Sequence, residues 1–126
     1  MRESIPEEVV RFIDEYIDTV PHLETLLLMR RSERAEWNAE RIAARVYVNL
    51  QTARAILGDL TQRGMLESLA NDTFVYSTQW EREHPQMHQL EESYRTALVP
   101  VSQLIHAKAA GSLRDFARAF RLKSDK

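Results

Sequence analysis

Cysteine is absent from this chain of 126 residues. Disulfides, thiolate metal sites and thiol nucleophiles are therefore excluded. Glycine occurs three times and proline four times, too few for a loop-rich or all-β fold. Three glycines also build neither a phosphate-cradling loop nor a dinucleotide fingerprint, and no nucleophile elbow is present. No apolar run reaches the ~20 residues of a membrane-spanning helix, and the opening MRESIPEEVV has no apolar signal core. These absences predict a cytoplasmic protein that does not engage a membrane. The many carboxylates fall on what read as solvated helix faces, so no enzyme activity and no cofactor are expected.

What is present is a globular composition, 44% hydrophobic and 29% charged, in a length suited to one domain. The predicted organisation is a single domain over residues 1–126: an N-terminal helix (1–20), a central unit (21–77) and C-terminal helices (80–122). The net charge of −2 is unevenly spread. Residues 108–126 carry six Lys or Arg against two Asp or Glu, whereas residues 1–48 carry seven against ten. The basic tail either offsets the acidic N-terminal helix or meets phosphates directly.

The densest signal lies between Asn38 and Ser77. Asn38 can cap a helix whose Ile42, Ala43 and Val46 share a face. Tyr47 and Val48 form a turn that ends in Asn49, a second cap. Leu50, Ala53, Ile56, Leu57 and Leu60 then make the apolar stripe of a longer helix. Gly64 after Arg63 is a left-handed helix stop. Met65–Leu69 and Thr73–Ser77 read as strands around the turn Ala70-Asn71-Asp72. Helix, turn, helix, glycine and hairpin is the chain order of a winged helix-turn-helix, whose second helix is the one offered to a DNA groove.

On these residues the chain resembles the winged-helix transcription regulators of bacteria. Ala39-Glu40-Arg41-Ile42-Ala43, the turn Tyr47-Val48-Asn49, and Ala53 through Gly64-Met65-Leu66 carry the likeness, which is close over about a third of the chain. With helices on both sides, the layout is similar to the MarR-type regulators. The resemblance implies a mainly α fold with a small β-hairpin wing, in which the winged helix-turn-helix is flanked by N- and C-terminal helices. It implies a homodimer joined through residues 5–20 and 86–122, with one reading helix per protomer. The wing departs from the family pattern, because Leu69-Ala70-Asn71-Asp72 holds no Arg or Lys at its tip.

The flanking segments read as amphipathic helices. Ser4-Ile5-Pro6-Glu7 is a capping box with proline in the first turn. Val9, Phe12, Ile13, Tyr16, Ile17 and Val20 follow at helical spacing up to Pro21, and Leu23, Leu26 and Leu27 mark a second helix from His22 to Arg31. Arg30, Arg31 and Arg34 near its end either complement the helix dipole or touch phosphate. Trp37 reads as an edge strand or core plug. Met87, Leu90, Tyr94, Ala97, Val101 and Leu104 form a heptad seam, better explained as a dimer seam than as core, with a kink at residues 96–100 imposed by Pro100. After Gly111 a terminal helix carries Leu113, Phe116 and Phe120 on one side and an Arg114, Arg118, Arg121 stripe on another. His84 and His88 have the spacing of a helical metal pair, but Pro85 biases His84 out of helical geometry, so no metal site is predicted.

The functional expectation is a sequence-specific DNA-binding transcriptional regulator that acts as a dimer, with a reading helix over residues 49–63. Arg54 can pair with guanine, Gln51 with adenine, and the Thr52 and Ala55 methyl groups can meet thymine. Asn49 and Thr52 can instead bind phosphate, and Arg63 completes the candidate double-stranded DNA contacts. The alternative is a winged-helix protein–protein interaction module that does not bind DNA, which suits a wing tip without a cation and needs a protein partner. A third reading, a ligand sensor, would line a pocket with Tyr16, Tyr94 and Trp80.

Overall fold

The computed structural model describes residues 5–32 and 34–109. Seven helices and one antiparallel hairpin follow in chain order among them. They are α1 (Glu7–Tyr16), α2 (Val20–Arg31), α3 (Ala39–Val46), α4 (Leu50–Gln62), β1 (Leu66–Leu69), β2 (Thr73–Tyr76), α5 (Thr78–Glu83), α6 (Gln86–Thr96) and α7 (Leu98–Ala109). The Ser4 capping residue and the terminal helix with its Arg114, Arg118 and Arg121 stripe lie outside the described residues. The chain forms two compact units: Met1–Val20 with Gln86–Lys126, and Pro21–Pro85.

In the first unit α1, α6 and α7 pack against one another. Val9, Phe12 and Ile13 of α1, Met87 and Leu90 of α6, and Val101, Leu104 and Ile105 of α7 are buried. Each such side chain contributes about 1.5–3 kcal/mol. This corrects the dimer-seam expectation. The heptad positions Met87, Leu90, Ala97, Val101 and Leu104 are already buried within one chain, because α1 supplies a facing apolar stripe. Helix α1 also ends earlier than its apolar spacing suggested. Ile17 turns extended (φ −115°, ψ 118°) yet stays buried, so it continues the pattern without continuing the helix. The Lys108 ammonium then takes up the end of α1, donating to the Ile13 and Ile17 carbonyls at 2.9 and 2.6 Å. A cation there suits the negative end of the helix. The expected break falls at Ala97, between α6 and α7, and Pro100 in the first turn of α7 withholds the N–H that would bond Thr96.

In the second unit both predicted caps operate. The Asn38 Oδ1 accepts from the Arg41 N–H at 2.9 Å, and the Asn49 Oδ1 accepts from the Thr52 N–H at 2.7 Å. Helix α4 stops in a double C-terminal clasp, Met65 N–H to Leu60 carbonyl and Gly64 N–H to Thr61 carbonyl, both 3.0 Å. That clasp puts Gly64 at φ 90°, and the conformation rather than crowding selects glycine, since a Cβ there would meet Trp80 only at 3.7 Å. The hairpin pairs Leu66 with Tyr76 and Leu69 with Thr73. Its tip is a 3-10 turn, Ala70–Asp72, in which Asn71 and Asp72 are left-handed. Trp37 adds a third short strand segment, exchanging bonds of 2.9 and 2.8 Å with Phe74. Helix α5, started by the Ser77 Oγ accepting from the Trp80 N–H, begins two residues ahead of the predicted C-terminal helical segment (80–122).

Candidate nucleic-acid interface

Helix α4 packs on α3 and on β1 and buries Ala53, Ile56, Leu57 and Leu60. The 3.6-residue repeat then turns Gln51, Thr52, Arg54, Ala55 and Gly58 outward, and all five are exposed. The structure thus brings Gln51, Thr52, Arg54 and Ala55 together on the first two turns of α4. Asn49 sits at their head, exposed, with its side-chain oxygen already committed to the Thr52 N–H. Only its side-chain amide N–H groups remain for a guest. Arg63 is not part of this group. It is half-buried at the far end of α4, nine residues and roughly 13 Å along the axis from Arg54.

The acidic residue of α4 is Asp59. It is half-buried, and its Oδ2 accepts from the buried His22 Nε2 at 2.8 Å. Asp59 stands one turn beyond Ala55 on the same side of α4 with its side chain 41% exposed, so α4 offers Arg54 as its one cation beside a carboxylate already paired with His22. At the wing, Leu69 (37% exposed), Ala70, Asn71 and Asp72 are solvent-facing, without a positive charge among them.

Arg30 is no phosphate contact. Its Nε and Nη2 grip the two Glu81 oxygens at 2.9 and 2.8 Å, and the Tyr76 hydroxyl donates to the same carboxylate at 2.5 Å. Burial, then the bond to Glu81, pushes the Tyr76 hydroxyl well above its ordinary range, so it stays a donor. This network ties the end of α2 to β2 and α5. Trp80 is buried, and the His84 ring stacks on it at 3.5 Å. His84 itself caps α5 outside any helix (φ −132°, ψ 74°), with its Nδ1 3.0 Å from the Trp80 carbonyl oxygen.

Helix α3 carries a feature absent from the sequence-based expectations. The Arg41 and Arg45 guanidinium carbons lie 4.3 and 5.5 Å from the centroid of the Trp37 ring. The signal was available as the even spacing Trp37, Arg41, Arg45, which puts both cations on one helix face above the aromatic residue. Tyr47, read only as a turn residue, is left-handed (φ 61°, ψ 49°) and 91% exposed.

No protein-family model matches the chain, and no curated protein matches it. Among solved structures it is similar to a MarR family transcriptional regulator from Streptomyces coelicolor. The TM-score is 0.54 and the identity 20%, over 94% of this chain and 83% of that one. With its helical flanks, α3–α4 unit and two-stranded wing, the chain has the MarR-type winged-helix fold. Among the described residues no helix is long and apolar enough to cross a membrane.

Proposed function

We propose that this chain is a cytoplasmic, non-catalytic DNA-binding transcriptional regulator that works as a homodimer and reads duplex DNA with α4. The observation that carries this reading is the outward face of α4. Gln51, Thr52, Arg54 and Ala55 are side chains suited to base edges, all exposed on the first two turns, and the one carboxylate of the helix is already paired with His22. The fold shared with a transcriptional regulator supports it by analogy. Two α4 helices in a homodimer built on the α1–α6–α7 unit would address half-sites about one DNA turn apart, hence a palindromic site.

A protein-interaction role is the second reading, and the wing favours it. A tip without a cation neutralises no phosphate, and Leu69 at its base is an apolar contact. Binding to mixed-sequence duplex DNA across low and moderate salt separates the two. The regulator reading expects a steep salt dependence that flattens when Arg54 is replaced by alanine, by a slope of about 1. Weak binding with a shallow slope, indifferent to Arg54→Ala, supports the protein-interaction reading instead.

A further inference from the structure

Affinity for a duplex comes largely from neutralised phosphates, yet the wing offers no cation and the first two turns of α4 offer only Arg54. Helix α3 supplies what both lack. Trp37 is buried and fixed by its two backbone bonds to Phe74. The Arg41 and Arg45 guanidinium groups lie over its ring, and a cation held over a ring face still has N–H donors to offer. Arg41 gives one of them to the Glu36 carbonyl at 2.8 Å. Arg45 is exposed, and no acceptor among the described residues takes its N–H groups.

Two residues further on stands Tyr47, in the left-handed conformation that suits glycine or asparagine and is strained for an aromatic residue. Nearly all of its side chain is in solvent, so packing does not offset that strain. The fold gains nothing from a tyrosine at this position. Its ring and hydroxyl are displayed in the turn that leads into Asn49 and the reading face of α4.

We propose that Arg45 and Tyr47 anchor the sugar–phosphate backbone of the duplex, in place of the cations that the wing lacks. The inference rests on the DNA-binding reading above. The Arg45 guanidinium pairs with one phosphate, and the Tyr47 hydroxyl donates to a neighbouring phosphate oxygen while its ring covers a deoxyribose. Neither contact touches a base edge, so the anchor carries register and affinity while α4 carries sequence choice. Glu36 and Glu40 are exposed on the same stretch of chain. The anchor is therefore a pair of directed contacts on a preset platform, not a broad positive patch.

Fluorescence anisotropy of the full chain on several mixed-sequence duplexes, over a range of salt, tests this. Arg45→Gln keeps the side-chain stem on Trp37 and removes the charge. It is expected to weaken binding roughly tenfold, equally on every duplex, and to lower the slope of log K against log salt by about 1. Arg45→Lys keeps the charge and should keep the slope. Tyr47→Asn suits the left-handed backbone. It is expected to weaken binding several-fold with the slope unchanged, in a protein that melts at or above the temperature of the unmodified chain. Wild-type affinity and slope in both Arg45→Gln and Tyr47→Asn, with Arg54→Ala still weakening binding, overturn the anchor and leave the regulator reading standing. An unmodified chain that ignores duplex DNA overturns both.

Discussion

Gly58 sits in the interior of α4, on the exposed face between Ala55 and Gln62, and a Cβ built there meets nothing within 4 Å. Glycine in such a position weakens a helix by roughly 0.5–1 kcal/mol relative to alanine, because more backbone freedom is lost on folding. Gly58→Ala should therefore raise the melting temperature by a few degrees in a thermal scan. A fall would mean that the helix is bent or crowded at that point in a way the present geometry does not contain. Individual residues were legible in the sequence wherever the chemistry is local. Asn38 and Asn49 each accept a bond from an N–H three residues on, so a cap could be assigned from neighbours alone. Arg30 was not legible. Its partner Glu81 is 51 residues away, and nothing near Arg30 in the chain announces a carboxylate.

At the scale of elements, the Arg30–Glu81–Tyr76 network decides how the wing is held. It joins the last turn of α2 to the end of β2 and to α5. Tyr76 adds a pH dependence. Its hydroxyl is raised above the ordinary value of 10.0 by burial, and then by its bond to Glu81. A tyrosine that holds its proton more tightly when folded contributes stability that is fully present below about pH 10, and that contribution is lost as pH climbs above it. The melting temperature should fall in that alkaline window, and Tyr76→Phe should flatten part of the fall. The part that remains has a source in Tyr16, which is also raised, chiefly by burial with Glu15 adding to it. An unchanged alkaline profile in Tyr76→Phe would contradict the assignment. Periodicity located the helices well but could not say what each face meets. The heptad repeat of residues 87–104 specifies an apolar stripe equally well for a sister chain or for α1, and only the fold shows that α1 lies against it. The same limit hid the end of α1, where Ile17 is buried in extended backbone and so extends the apolar pattern past the helix.

At the scale of the whole molecule, the chain separates a helical unit from a winged unit. The order of elements in the winged unit was legible because caps, a glycine stop and a hairpin turn each announce themselves within a few residues. The candidate site was legible only in part. Gln51, Thr52, Arg54 and Ala55 do share an exposed face, since helical spacing alone dictates it. The pairing of Asp59 with His22, and the placement of Arg41 and Arg45 over the Trp37 ring, come from contacts that spacing does not fix. The small net charge of −2 gives no long-range attraction to nucleic acid. With the reading face on α4, the expected contacts are few and directed, and the surface that changes on binding should be correspondingly compact. Backbone amide chemical shifts of the isotope-labelled full chain, followed during titration with a mixed-sequence duplex, measure that surface directly. The account predicts that the largest changes cluster between residues 45 and 56, with the α6–α7 core little affected. Spectra that do not respond to the duplex, or changes that spare α4 altogether, would contradict it.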